Sequence, residues 1–378
     1  MGTGPAGLIA ADVLSRHGVA VELHDHMRLP GRKFLLAGRG GLNLTHSEPL
    51  DKVLERYGTA REKMESALRA FPPDAARLWC EELGEPIFVG SSGRVFPSSM
   101  KASPLLRKWL QRLNAQGVNF ISPRRWVEFS IAPTILALGG ASWPELGSDA
   151  TWMVTFKRNS IHVNQFVAAN SRQRVSWSEV MVARFAGAHI KNVELRHGQK
   201  IARGDIVISS DGIEGAPVYA LSGSLRENPT LPLTIDLRPD LSTEQMDSNL
   251  ARQRNKDSFA NRHRKAFNMA PAAIALMRET KSSNPKTLQL KTDGPVELRR
   301  AISSAGGVAW SEVDEQFRLR KHPTTMVVGE MLDWDAPTGG YLFQACLSTG
   351  YFAAIKYLER IGIKPNPPAQ ARLPSTLP

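Results

Sequence analysis

Apolar residues recur at helical spacing from Gly7 to His17, and after Gly18 the pattern changes to the alternation of Val19 to His24. A turn, a helix and a strand in that order follow from it. Pro72 to Leu83 and Pro104 to Gln116 read as further helices, the second with Leu105, Leu106, Trp109, Leu110 and Leu113 along its apolar side. Thr134 to Leu138 reads as a short buried strand, stopped by Gly139 and Gly140. From about residue 150 the pattern is one of short strands with turn signals. These strands are Val193 to Leu195, Lys200 to Ile201 and Asp205 to Ser209, joined through His197, Gly198 and Gly204. Ser242 to Lys281 is polar and helical in character. Apolar segments resume from Pro295, towards a strand at Thr325 to Val328 and a helix after Gly339. The pattern predicts an α/β protein with one domain built from both ends of the chain, residues 1–149 and 300–364. A mixed insertion over 150–299, helical at about 242–285, interrupts it. Pro365 to Pro378 is a proline-rich tail expected to be disordered, and no internal repeat is visible.

Composition narrows this little. The 378 residues are 42% hydrophobic and 22% charged, the balance of a globular protein. No run approaches the roughly 20 apolar residues of a membrane helix, and no secretory signal opens the chain, so a cytoplasmic location is expected. Cys80 and Cys346 lie far apart without CxxC spacing, which points to packed thiols rather than a disulfide, zinc or redox pair. The net charge of +12 suits an anionic partner. Its densest group is Arg252, Arg254, Lys256, Arg262, Arg264 and Lys265, with no aromatic residues interleaved for base stacking, so a solvated helix face is the simpler reading.

The chemistry begins at residue 2. Gly2, Thr3, Gly4, Pro5, Ala6 and Gly7 spell GxGxxG ahead of the first helix. In a dinucleotide-binding turn Gly2 permits the tight bend, Gly4 admits the pyrophosphate to the backbone and Gly7 lets helix and strand pack closely. The helix N-terminus offers unpaired N–H groups to the phosphates. Asp25 follows at the distance from which an acid reaches the adenosine ribose. An apolar strand of about five residues should precede such a turn, yet only Met1 does. The expectation is either a start further upstream or a lost strand, with weakened flavin binding as the consequence.

The run Gly31 to Thr45 (GRKFLLAGRGGLNLT), Ile135 to Pro144 with Gly147 and Ser148, Arg299 to Gly307 (RRAISSAGG) and Gly329 to Gln344 (GEMLDWDAPTGGYLFQ) cover most of the chain. Together they resemble the BaiN-like (YhiN-like) family of NAD(P)/FAD-dependent oxidoreductases. The resemblance implies a Rossmann-like FAD-binding domain interrupted by a β-barrel-like and a helical substrate insertion. Under it, the Gly38 to Gly41 loop, including Gly40, brings backbone close to the flavin, while Arg32 and Lys33 offset phosphate charge and Asn43 meets the flavin edge. Gly139 and Gly140 belong to the same site. Gly329 and Glu330 form the pair whose carboxylate takes the ribitol hydroxyls. Gly339, Gly340 and Tyr341 open a helix towards the isoalloxazine carbonyl. The Asp211 to Gly215 turn matches a family GIEG segment and is a candidate for substrate contact.

The implied activity is hydride transfer between flavin and a small organic molecule, with carbon–carbon double bonds of steroid-like compounds among the family's substrates. In such chemistry the cofactor carries the reaction. No Ser/His/Asp arrangement, HExxH or EF-hand loop is present, and His24, His26 and His46 receive no catalytic role. No second GxGxxG marks a nicotinamide site, so NAD(P)H is left open as reductant. Two alternatives stand beside this reading. A flavin-linked nucleic-acid-binding protein is motivated by the charge. A degenerate, cofactor-free paralogue is motivated by the absent strand and by the short segment Gly117 to Pro133, where a longer β meander is usual.

Overall fold

A computed structural model describes residues 1–38, 40–254 and 256–366, so Arg39 and most of the proline-rich tail lie outside the described residues. The chain divides into two compact units, Met1–Val167 with Ser303–Pro378, and Ala168–Ile302. The first unit reaches further along the chain than the change of sequence pattern at 150. Phe156 is the reason: it packs against Trp126, Phe129 and Trp152, so this aromatic cluster keeps the helix Met153–Arg158 with the first unit.

In the first unit the helix Pro5–Arg16 starts at Pro5, whose fixed φ suits the first helical position. It ends at His17 and Gly18, the latter at φ +78°. Leu8, Ile9, Ala10 and Ala11 are buried in a core shared with Trp79, Trp109, Leu347 and Leu358. The last helix, Tyr341–Arg360, crosses close to it. A Cβ on Gly350 would stand 2.2 Å from Ala6 O, so the two backbones meet where only glycine fits. Asp12 is buried between helices. It accepts from Trp109 Nε1 at 3.1 Å, Gln116 Nε2 at 3.2 Å, Arg16 Nη2 at 3.3 Å and Arg112 Nη2. A buried carboxylate is tolerated only with such a set of donors.

The parallel sheet is in two pieces. Glu22–His24 pairs with Asn119–Ile121, and Thr134–Leu136 pairs with Thr325–Val327. Met1 and Gly2 join them: Met1 N donates to Ile135 O at 2.9 Å, Ala137 N to Met1 O at 2.8 Å, and Gly2 N to His24 O at 2.7 Å. Met1 and Gly2 thus stand between the two strand pairs. The segment 122–133 contains no strand, in keeping with its shortness. The helices Leu50–Glu55 and Arg61–Ala70 are not evident in the sequence pattern, because the second is amphipathic but strongly polar overall.

The second unit is a six-stranded antiparallel sheet. Its strand order is Leu288–Leu290, Leu233–Asp236, His189–His197, Lys200–Ser209, Gly212–Glu214, Gln173–Arg174. Arg174 N donates to Gly294 O and Asp293 N to Arg174 O, each at 2.8 Å, which brings the first strand beside the extension of the last and curls the sheet like a barrel. Alternating Val193, Leu195, Ile206, Ile208 and Ile235 fill its inner face. The helices Thr243–Ala251, Phe259–Phe267 and Pro271–Glu279 bury Met246, Phe267, Leu276 and Met277 in the same core.

Candidate functional site

The glycine turn is built as its spacing predicts, and each glycine meets a different environment. Gly2 sits at φ +95°, where a Cβ would lie 2.2 Å from Ala137 O. A Cβ on Gly7 would lie 1.9 Å from Gly2 O. Gly4, the residue preceding Pro5, has φ −75° and ψ 176°, and a Cβ there would meet nothing within 4 Å. The backbone of Gly4 therefore borders open space, whereas Ala6 is buried. No side chain caps this helix end, so its first N–H groups have no intrahelical partner.

Asp25 stands beside the turn and is already engaged. Its Oδ2 accepts from Thr3 N at 2.8 Å and from Thr3 Oγ1, and its Oδ1 accepts from Met27 N at 2.7 Å. A carboxylate offers about four lone-pair positions. One is left on Oδ1, enough for a single ribose hydroxyl rather than the pair expected from the spacing. Thr3, which the sequence reading passed over, locks this geometry.

Gly31 N donates to Thr3 O at 3.1 Å, which places the helix Arg32–Ala37 against the same turn. Arg32 Nε is buried and without a partner. Lys33 differs from the expectation of a free cation, since all three of its donors are directed within the chain. It reaches Glu330 Oε2 at 2.7 Å, Ser142 Oγ at 2.8 Å and Ser148 Oγ at 3.4 Å. Lys33 and Glu330 are thus one ion pair, both largely buried. Around them, Ala141 N donates to Ser304 Oγ at 3.1 Å, and a Cβ on Gly140 would fall 2.1 Å from that oxygen. Gly139, at φ +77°, lies against Ser148 Oγ. Gly329, at φ +70°, lies against Ala6, where an added Cβ would stand 3.0 Å from Ala6 Cβ, which links the Gly329–Met331 turn to the first helix.

In the loop Gly38 to Gly41 the glycines serve packing as much as access. Gly38 abuts Ala102 and Gly41 abuts Met100, whereas Gly40 borders open space. Asn43 does not point away from the chain either. With its amide oriented to satisfy both neighbours, it donates to Thr45 O at 3.0 Å and accepts from Gly340 N at 3.3 Å. Gly340, at φ +94°, stands so close to Thr45 that a Cβ would be 2.6 Å from Thr45 Cα. Gly339, at φ +135°, abuts the ring of Tyr341.

Tyr341 opens the last helix, but its side chain turns into a partly buried network whose outer member, Arg56, is exposed. Its hydroxyl donates to Glu48 Oε1 at 2.6 Å, while Arg56 holds Glu48 through two bonds of 3.0 and 2.7 Å. His46 stacks on the ring with centroids 5.5 Å apart, and Tyr57 OH donates to Tyr341 O at 2.8 Å. Burial and the Glu48 carboxylate raise the Tyr341 phenol well above its usual range. Burial alone would raise the Glu48 carboxyl, but bonds from Arg56 and Tyr341 outweigh it and hold it below its ordinary value. None of Glu48, Arg56 or Tyr57 carries a sequence signal, since an ordinary Glu and Arg eight residues apart belong to no motif.

A glycine turn at a helix N-terminus, set between parallel strand pairs in a chain with a curled antiparallel insertion, defines a Rossmann-type FAD-binding α/β protein. Residues 1–356 match the HI0933-like protein Rossmann domain family, and the chain belongs to it. This is a flavoprotein oxidoreductase family, as the motif resemblance implied. The chain is 24% identical over 406 residues to the 3-dehydro-bile acid delta(4,6)-reductase of Clostridium scindens, spanning 95% of this chain and 98% of that protein. It is 21% identical over 394 residues to the ribosomal RNA dihydrouridine synthase of Haemophilus influenzae, spanning 94% and 96%. The solved 3-ketosteroid-delta4-(5alpha)-dehydrogenase of Rhodococcus jostii aligns with a TM-score of 0.44 at 12% identity, over 94% of this chain and 95% of that one. Among the described residues no helix is long and apolar enough to cross a membrane, and no cluster of His, Cys, Asp and Glu could hold a metal ion.

Proposed function

We propose that this chain holds FAD on the Gly2 to Gly7 turn and acts as an oxidoreductase on a small unsaturated organic molecule. The observation that carries the reading is the open backbone at Gly4, whose φ and ψ suit any residue and where an added Cβ would meet nothing within 4 Å. An unpartnered buried Arg32 Nε beside the same turn fits a phosphate oxygen. Bound there, FAD supplies hydride transfer at its N5. The chain's own part is binding and orientation. The N–H groups at the start of Pro5–Arg16 and Arg32 take the pyrophosphate, and Asp25 takes one ribose hydroxyl on its remaining lone pair. Glu330, kept in place by Lys33, Ser142 and Ser148, faces the ribitol hydroxyls. Asn43 pins Gly340, so that the N-terminal end of Tyr341–Arg360 keeps its direction, with Gly139, Gly140 and Gly40 shaping the wall.

The bile acid reductase relative supports an enone-like steroid as substrate class; NAD(P)H is the reductant to be tested. The test is absorbance of the purified protein with and without FAD, followed by anaerobic addition of NAD(P)H. Bound flavin that bleaches with NADH or NADPH is expected. A protein that stays colourless in excess FAD would overturn the reading in favour of a cofactor-free remnant.

A second reading has its own observations: the charge of +12 and a relative that acts on ribosomal RNA. In it the flavin serves reduction of a base in RNA, and the expected outcome is RNA binding that weakens steeply with salt. Binding absent at low salt would remove it.

A further inference from the structure

The densest group of positive charge lies in the second unit. Between residues 252 and 265 stand Arg252, Arg254, Lys256, Arg262, Arg264 and Lys265 against a single acid, Asp257. This segment ends the helix Thr243–Ala251, connects it to Phe259–Phe267 and runs along the second helix. Asp257 is paired with Lys265 at 2.9 Å. Arg252, Arg254, Lys256 and Arg264 are exposed, and their side chains have no ion pair or hydrogen bond among the described residues. Arg262 Nε is buried without a partner. A folded chain gathers like charges at a cost unless an anion offsets them.

Of these cations Arg252 borders an open surface depression whose other lining residues are Leu241, Glu244, Gln245, Ser248 and Asn249. The amides and hydroxyl among them are groups that hydrogen-bond base edges and sugar hydroxyls. A lipid surface fits less well, because a membrane-binding helix presents apolar residues beside its cations. Here the apolar residues of Phe259–Phe267 face the other way: Phe267 is buried in the core, and Phe259, Ala260 and Ala266 pack against it.

From this we infer that the end of the helix Thr243–Ala251 and the helix Phe259–Phe267 dock single-stranded RNA, its phosphates on Arg252, Arg254, Lys256 and Arg264, with Gln245, Ser248 and Asn249 alongside for polar contacts to the nucleotides. The inference deepens the second reading above and is independent of whether FAD binds. With no aromatic platform among these residues, phosphate contacts dominate the affinity. Four such contacts give a slope of log affinity against log salt of about −3 for a single strand, or roughly a 50-fold loss from 50 to 200 mM salt.

The experiment is fluorescence anisotropy of a labelled unstructured RNA 15-mer with the full chain, in the presence and absence of FAD. A duplex DNA of equal length is measured beside it. The test protein carries Arg252→Glu, Arg254→Glu and Lys256→Glu, all exposed. The control carries Arg61→Glu, Lys63→Glu and Lys101→Glu, equally exposed and of equal charge change. The expected result is salt-dependent RNA binding that falls at least tenfold in the test protein, and within threefold of wild type in the control, with unchanged thermal unfolding in both. Equal losses in both proteins, equal binding of duplex DNA, or no binding at 50 mM salt would each overturn the inference. Flavin absorbance recorded on the same samples keeps a failure of the cofactor reading separate from a failure of this one.

Discussion

Gly4 and Gly7 lie three residues apart in one motif, yet the structure predicts opposite consequences for the same added methyl group. At Gly4 the backbone is at φ −75° and ψ 176°, open to every residue, and a Cβ meets no atom within 4 Å. Gly4→Ala therefore folds at least as well as the wild type, with a gain of about 0.4–1 kcal/mol from the stiffer unfolded chain. The methyl group nevertheless occupies the side from which a pyrophosphate must reach the backbone. Loss of one charge-assisted N–H bond to phosphate costs about 1.5–3 kcal/mol, or roughly a 10- to 150-fold weaker Kd for FAD. At Gly7 the Cβ would lie 1.9 Å from Gly2 O, a backbone atom that cannot swing aside. Gly7→Ala forces the first helix off the turn, an overpacking cost of about 1–3 kcal/mol. Thermal unfolding without FAD and titration by quenching of flavin fluorescence separate the two effects. If Gly4→Ala binds FAD as tightly as wild type, the pyrophosphate does not sit on this turn. If it unfolds at lower temperature, the space beside Gly4 is not open.

Asp12→Ala should cost about 3–5 kcal/mol in urea unfolding, because it strands Arg112, whose guanidinium is already disfavoured by burial. Lys33→Met should cost about 2 kcal/mol by leaving Glu330 without its partner, and adding Glu330→Gln should recover part of that loss. Additive losses in that double-mutant cycle would mean the two residues are not coupled. The Glu48 carboxyl sits below its ordinary value of 4.5, so it contributes stability that is complete above the unfolded value and lost as pH falls through the folded one. The urea midpoints of wild type and Glu48→Gln should accordingly differ at pH 7 and converge as pH falls below the ordinary carboxyl value and through the lower folded one. A constant gap across that range would show that Arg56 and Tyr341 do not depend on the charge.

The sequence by itself determined the class of this protein. GxGxxG, the run from Gly31 to Thr45 and the GEM and TGGYLFQ segments work through backbone conformation, and at Gly2, Gly7 and Gly340 a Cβ would stand 2.6 Å or less from a backbone atom, so only glycine fits. Such demands are visible in a residue string because no other residue type lacks the Cβ. Hydrophobic spacing likewise marked Pro73–Glu82 and Ala102–Ala115 to within two residues, since burial of one face has a fixed period.

Only the tertiary structure decided which charges are free and which are committed. Lys33 and Glu330 are 297 residues apart and meet at 2.7 Å, and Asn43 reaches Gly340 rather than open space. Asp25 keeps one lone pair because Thr3 and Met27 take the others. Side chains such as Glu48, Arg56 and Tyr57 entered the site from the residues flanking the helix Leu50–Glu55, whose sequence gave no sign of it. Hydrogen bonds and ion pairs are contacts of a few ångströms between residues distant along the chain. Their partners are set by packing, and local periodicity carries no record of them.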